Sequence, residues 1–450
     1  MKKAISGFLL FTLMLSIGNY AYAGSLMDMI KSRSLSVPTA RVSKQQNASS
    51  YNQKDEWLVM VYIAGRNNLT NFAAQNVNQI EAGLYTAVNS QAKLTPVKFV
   101  VAYSNMEYGS DFTGEEGMTA YLVQPDADMN TMKSQKLFPM KGADSGNVKS
   151  LYYFVSRAIS QFPARKKALI IWNHGEGVDG IASDVVFNSQ MEIRNLSATL
   201  ESLVKGMKGK FDVLAMDACL MQMASVAYEF KDYAKYIVAS EQPIPGEGYH
   251  YEAIAQNAAL NNLDAEDFSR LLVQTYSSKY STRNYGFPTT LSSIRSSAMP
   301  ALRSKMNKWT TEIMKDRTFY KNFVRSDAYR KTPKMYQYYS SVDLTALIDE
   351  INKVQNVSPA IVAAGNDLKN YINNSLFVEN FSQNHEFSNG IAVYMPFCFD
   401  AQNGLYESLF KYFCEYKANV YEGLKFSRES AWDDFVRNIP TFYKEIANNK

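Results

Sequence analysis

Two stretches, Ala168-Leu-Ile-Ile-Trp-Asn-His174-Gly175 and Asp212-Val-Leu-Ala-Met-Asp217-Ala-Cys219, each run a short apolar segment into a residue capable of proton or nucleophilic chemistry. Apolar runs of this length, with turn residues behind them, read as parallel strands buried on both faces. The chain holds 3 histidines and 3 cysteines in 450 residues, and one of each stands just past the end of its run. In open α/β sheets, reactive groups gather in the crevice beyond the carboxyl ends of the strands. Neighbouring strands would therefore deliver His174 and Cys219 to one rim.

Working outward, Trp57 to Ile63, Val97 to Tyr103 and Tyr236 to Ala239 read as further strands. Helix-like spacing follows at Phe72, Val77, Ile80 and Leu84, over Val148 to Phe162, and over Ile193 to Val204. A hairpin-like piece spans Met118 to Val123. Strands alternating with helices predict an α/β sandwich with a mostly parallel central sheet. Beyond about Glu252 the pattern turns helical, over Ala265 to Ser281, Ala298 to Met314 and Leu344 to Tyr371, with one late strand at Gly390 to Met395. This helix-rich half is either a separate domain or a region that completes or covers the first.

Met1-Lys2-Lys3, the apolar Gly7 to Ile17 and the small-x-small Ala21-Tyr-Ala23 form an export signal, with the cut before Gly24. The organisation expected is a signal peptide over 1–23, a polar leader or pro-segment over 24–55, a catalytic domain over 56–255 and the helix-rich region over 256–450. The mature chain would be periplasmic or secreted, with no membrane attachment once the signal is removed. A net charge of +4, part of it in the signal, leaves no electrostatic footprint for nucleic acid. Three cysteines do not make a disulfide scaffold. Cys398 and Cys414 read as buried free thiols, with a pairing between them left open. The protein is expected to act as a monomer.

Taken singly, His174 is a satisfied loop histidine and Cys219 a small buried apolar residue. Their matching positions, about 45 residues apart, favour a catalytic dyad. Leu220 to Phe230 reads as a helix, which would set the thiol at a helix N-terminus where the dipole favours thiolate. His174 has the pKa to protonate a leaving amine, and the amides of Gly175 and Cys219 could hold an oxyanion. Caspases share the order and approximate spacing of histidine and cysteine.

The runs Trp172-Asn-His-Gly175 and Asp217-Ala-Cys219, with Tyr62-Ile-Ala-Gly-Arg-Asn-Asn-Leu69, Ser240-Glu-Gln-Pro-Ile-Pro-Gly-Glu-Gly-Tyr249 and Leu424-Lys-Phe-Ser-Arg-Glu-Ser-Ala-Trp-Asp-Asp-Phe435, resemble the clostripain family of cysteine peptidases. The resemblance covers roughly residues 55 to 440. It implies a caspase-like fold and an endopeptidase with His174 and Cys219 as dyad. Its substrates would be proteins or peptides cleaved after Arg or Lys, the cation being read by Asp217. Alternation along a strand turns Asp217 to the same face as the thiol; the plainer role for such an Asp is a helix N-cap. Glu247, in a glycine-flanked turn, could add a second carboxylate. No cofactor is required, although some family members use calcium, for which Asp179 and Asp184 are the candidate ligands. The other histidines, His250 and His385, read as structural or exposed. A rival reading keeps the scaffold as a non-catalytic peptide- or protein-binding module.

Two departures stand out. Family members are typically made as precursors that cut themselves after a basic residue between histidine and cysteine, yet no Lys or Arg follows His174 until Arg194. Lys205, Lys208 and Lys210, or Arg41, Lys44 and Lys54 in the leader, are the alternatives. Asn67 stands where relatives commonly carry an acidic residue.

Overall fold

The computed structural model describes residues 55–106, 117–326, 328–329, 341–383, 388–396 and 420–447. The signal, most of the leader, His385, Cys398 and Cys414 lie outside the described residues. In chain order the strands are β1 (Asp55–Ala64), β2 (Val97–Ser104), β3 (Met118–Leu122), β4 (Gln135–Met140), β5 (Ala164–Trp172), β6 (Ile181–Asp184), β7 (Ser189–Met191), β8 (Phe211–Asp217), β9 (Ala234–Ala239), β10 (Thr290–Arg295), β11 (Ser341–Asp343), β12 (Phe377–Ser382) and β13 (Ala392–Tyr394). The helices are α1 (Thr70–Asn89), α2 (Val148–Gln161), α3 (Ile193–Met207), α4 (Ala224–Phe230), α5 (Tyr251–Leu260), α6 (Ala265–Tyr280), α7 (Met299–Lys315), α8 (Arg317–Arg325), α9 (Leu344–Asn352), α10 (Pro359–Tyr371), α11 (Lys425–Glu429) and α12 (Trp432–Ala447).

Nine strands form one sheet in the order β12-β10-β9-β8-β5-β1-β2-β3-β4. Its five central strands run parallel, and antiparallel pairs close both flanks. The α/β sandwich with a mostly parallel sheet is thus the fold. Alternation along the strands sorts the core into two layers. Leu58, Met60, Tyr62, Leu169, Ile171, Leu214 and Met216 pack with Leu151 and Phe154 of α2 and Leu196 and Leu200 of α3. Val59, Val61, Ile63, Ile170, Val213 and Ala215 face the opposite layer, with Val77 and Ile80 of α1, Ile254 of α5 and Phe268 and Leu272 of α6. Burial on both faces is why these strands read as unbroken apolar runs.

Several boundaries differ from the sequence reading. The second half holds two strands that the sequence reading did not give, β10 and β12, both in the main sheet. β10 went unseen because Ser292 and Ser293 look like loop residues. Both are buried, and their hydroxyls donate to Gly390 O at 2.7 Å and Ser269 Oγ at 2.8 Å. The single helix expected over 344–371 is two, α9 and α10, parted by a turn in which Asn356 takes φ 63° before Pro359 starts the next helix. The late strand is only Ala392–Tyr394 and pairs with β11 outside the main sheet. The helix expected from Leu220 begins at Ala224, because Leu220 itself is left-handed at φ 64°.

Candidate active site

Register decides the site. β5 and β8 are adjacent and parallel, with Trp172 opposite Asp217, and Asn173 N donates to Asp217 O at 3.2 Å. His174 and Cys219 each lie two residues beyond that rung, so both loops leave the carboxyl edge side by side. The contact is close: a Cβ placed on Gly175 would lie 2.4 Å from Cys219 O and 2.8 Å from Met221 Sδ. Only glycine lets these two turns touch. His174 and Cys219 are half-buried.

The thiol is turned toward the 240–249 loop, where Ile244 N donates to Cys219 Sγ at 3.2 Å. Burial pushes the Cys219 pKa up, the Ile244 amide opposes that, and the charge of Asp217 adds to it. The helix-dipole argument for a thiolate fails, since α4 starts five positions after Cys219. Burial also lowers the His174 pKa. Both directions favour a thiol and a neutral imidazole over an ion pair at rest. Among the described residues no hydrogen bond joins them; His174 Nε2 instead lies 2.6 Å from Asn68 Oδ1, a residue the sequence reading did not single out.

Asp217 ends β8 with its side chain on the α1, α5 and α6 layer, so it caps no helix. Its Oδ2 accepts from Tyr249 N at 3.0 Å and Tyr251 Oη at 2.9 Å. Its Oδ1 is buried without a hydrogen-bond partner. Desolvation raises its pKa to about 6, against the lowering effect of those two donors and of Lys279. Gly248, at φ 62°, clears space for the carboxylate: a Cβ there would sit 2.6 Å from Asp217 Oδ2. Glu247 is one residue away in the chain, but its Oε1 meets Tyr285 Oη at 3.2 Å and Arg283 at 3.7 Å rather than Asp217. Lys279 Nζ donates to the carbonyls of Glu247, Gly248 and Tyr249, each at 3.0 Å. This lysine, whose pKa burial lowers to about 8, was also missed, because nothing local marks it.

Asn67 gains a role. Its Nδ2 donates to Ala64 O at 3.3 Å and Ser183 O at 3.1 Å, and its Oδ1 accepts from Leu69 N at 2.9 Å, so it fastens the loop after β1. Asp184 is buried against Arg66 at 3.2 Å and also accepts from Ser145 N and Oγ. No group of three or more His, Cys, Asp or Glu converges among the described residues. His250 precedes α5 as its N-cap residue.

A family model described as the clostripain family matches residues 61–439. This chain belongs to the clostripain family. Clostripain from Hathewaya histolytica is 24% identical over 238 residues, which is 47% of this chain and 44% of clostripain, so the match spans less than half of that relative's length. Two solved clostripain-family structures share the fold. An inactive zymogen C11 protease from Parabacteroides distasonis is 18% identical, with 84% of this chain and 99% of that one covered at a TM-score of 0.58. A secreted C11 cysteine protease from Bacteroides thetaiotaomicron, in complex with an irreversible peptide inhibitor, is 20% identical with the same coverages and a TM-score of 0.56.

Proposed function

We propose that this clostripain-family chain is an exported cysteine endopeptidase that cleaves after Arg or Lys, with Cys219 as nucleophile and His174 as its base and acid. The observation that carries the proposal is the Trp172–Asp217 rung, which sets both side chains two residues past one sheet edge. Attack moves the thiol proton to the neutral imidazole as sulfur bonds the carbonyl carbon. In this reading the amides of Gly175 and Cys219 hold the developing oxyanion. The imidazolium then protonates the departing amine, and water releases the acyl-enzyme.

Asp217 is the base of the cation pocket in this reading, its unpartnered Oδ1 awaiting a guanidinium or ammonium. Glu247, already engaged by Arg283 and Tyr285, stands at the pocket's edge. A substrate cation binding Asp217 satisfies a buried acceptor whose isolation otherwise costs about 1–3 kcal/mol.

An arginyl or lysyl acyloxymethyl ketone tests the reading. It should label the wild-type thiol and leave Cys219→Ala unlabelled. Asp217→Ala should lower kcat/KM on an arginyl reporter by about 100-fold or more while iodoacetamide still alkylates the thiol. Persistent hydrolysis by Cys219→Ala would overturn the assignment; a folded wild type inert to the probe would favour the non-catalytic binding module. Sequencing the mature N-terminus locates the export cut expected before Gly24.

A further inference from the structure

The third group of this site is Asn68. An amide oxygen can only accept, so the 2.6 Å contact to His174 Nε2 places the ring hydrogen on Nε2 and leaves Nδ1 with a free lone pair. That is the tautomer in which Nδ1 can take a proton from a thiol on the neighbouring loop.

The loop that presents Asn68 is fastened on both sides of it. Gly65 N donates to Ser104 Oγ at 3.0 Å, and a side chain at Gly65 would collide with Ser104 O at 2.2 Å. Arg66 reaches Asp184 and Ala143 O, the latter at 3.0 Å. Asn67 is held through three side-chain hydrogen bonds, and Thr70 N donates back to Asn67 O at 3.1 Å. Within this stiff turn Asn68 alone is exposed. Its side chain has no core to satisfy, and its oxygen meets the imidazole. The sheet brings the two together: β1 lies beside β5 with Ile63 opposite Trp172, so the loops after both strands share one rim. Among the described residues no charged group shifts the ring, whose pKa is displaced by burial alone.

We infer that Asn68 is a positioning residue that holds His174 as the neutral Nε2–H tautomer, so that Nδ1 receives the Cys219 proton and returns it to the leaving amine. The inference rests on the dyad proposed above. It makes the machinery a Cys-His-Asn relay assembled from the ends of β8, β5 and β1. During attack the Sγ–H bond breaks, sulfur bonds the acyl carbon, and Nδ1 gains the proton. The imidazolium this creates is stabilised by its remaining Nε2–H···O contact.

The test compares Asn68→Ala and Asn68→Asp with the wild type on an arginyl reporter, alongside the rate of thiol alkylation as a function of pH. Because Asn68 is exposed, both variants should keep the wild-type melting temperature. Asn68→Ala should lower kcat by about 10- to 100-fold with KM within about twofold, the pattern of a lost orienting contact. Asn68→Asp keeps an acceptor and should recover most of kcat. Its carboxylate also favours the imidazolium, so the acidic limb of kcat should move to higher pH. Unchanged kcat and an unchanged pH profile in Asn68→Ala, with Cys219→Ala inactive, would overturn this inference alone. Turnover by Cys219→Ala would remove the dyad and this inference with it.

Discussion

In the proposed reading, Asp217 concentrates the tension between stability and function in a single side chain. Its carboxyl titrates at about 6 rather than 3.8, so ionising it inside the fold costs about 3 kcal/mol. The sign follows from the direction: the folded state holds this proton more tightly, so the penalty is absent below the unfolded pKa and complete above pH 6. Asp217→Asn should therefore raise the melting temperature at pH 8 and change it little at pH 3.5, as calorimetry at the two pH values would show. The same residue predicts that KM for arginyl reporters rises as pH falls through about 6. In Asp217→Asn that pH dependence should vanish and KM stay high throughout. The sequence marked this residue because two positions along a strand share a face, but its burial and its paired tyrosine donors come from a loop some thirty positions later. Asn68 had no such mark, since an asparagine in a turn is ordinary until β1 is seen beside β5.

Between β9 and α5, the 240–249 loop joins the Cys219 thiol and the Asp217 carboxylate as one element. Leu220 N donates to Gln242 O at 3.2 Å, Ile244 N to the thiol, and Tyr249 N to Asp217. Lys279, near the end of α6, clasps three successive carbonyls of this loop from behind. Burial holds its pKa near 8, while Asp217 and Glu247 favour its charge and Arg283 opposes it. Above that pH the amine keeps two donors for three acceptors. We expect KM to rise as pH climbs through about 8. Lys279→Met should abolish that limb and raise KM about 5-fold or more at pH 7, with kcat changed less, since charged hydrogen bonds of this kind contribute about 1.5–3 kcal/mol each. An unchanged KM in steady-state assays would show that the clasp is not needed. Elements of this sort were legible only in part. The motif from Ser240 to Tyr249 stood out in the sequence, whereas its lysine partner, about 30 positions away, carries no local signature.

For the molecule as a whole, topology constrains self-processing. Lys205, Lys208 and Lys210 sit at the end of α3 and in the turn before β8, at the amino edge of the sheet. β8 runs seven residues from there to the catalytic rim, about 23 Å at roughly 3.3 Å per residue. The turn cannot reach its own thiol while β8 stays folded, so any cutting there would be intermolecular. Its rate should scale with protein concentration, and active enzyme should cut a Cys219→Ala chain at the same turn, as intact mass would show. Concentration-independent cutting would refute this. The sequence by itself determined the parallel α/β core and the two loops that carry the histidine and cysteine, because buried strands and their terminating residues are local patterns set by hydrophobic burial. Tertiary structure alone decided that β10 and β12 complete the sheet, that the thiol lies before a left-handed residue instead of at a helix end, and that Asn68 and Lys279 attend the site. Those facts depend on strand order and on hydrogen bonds between residues far apart in the chain, which no short-range periodicity encodes.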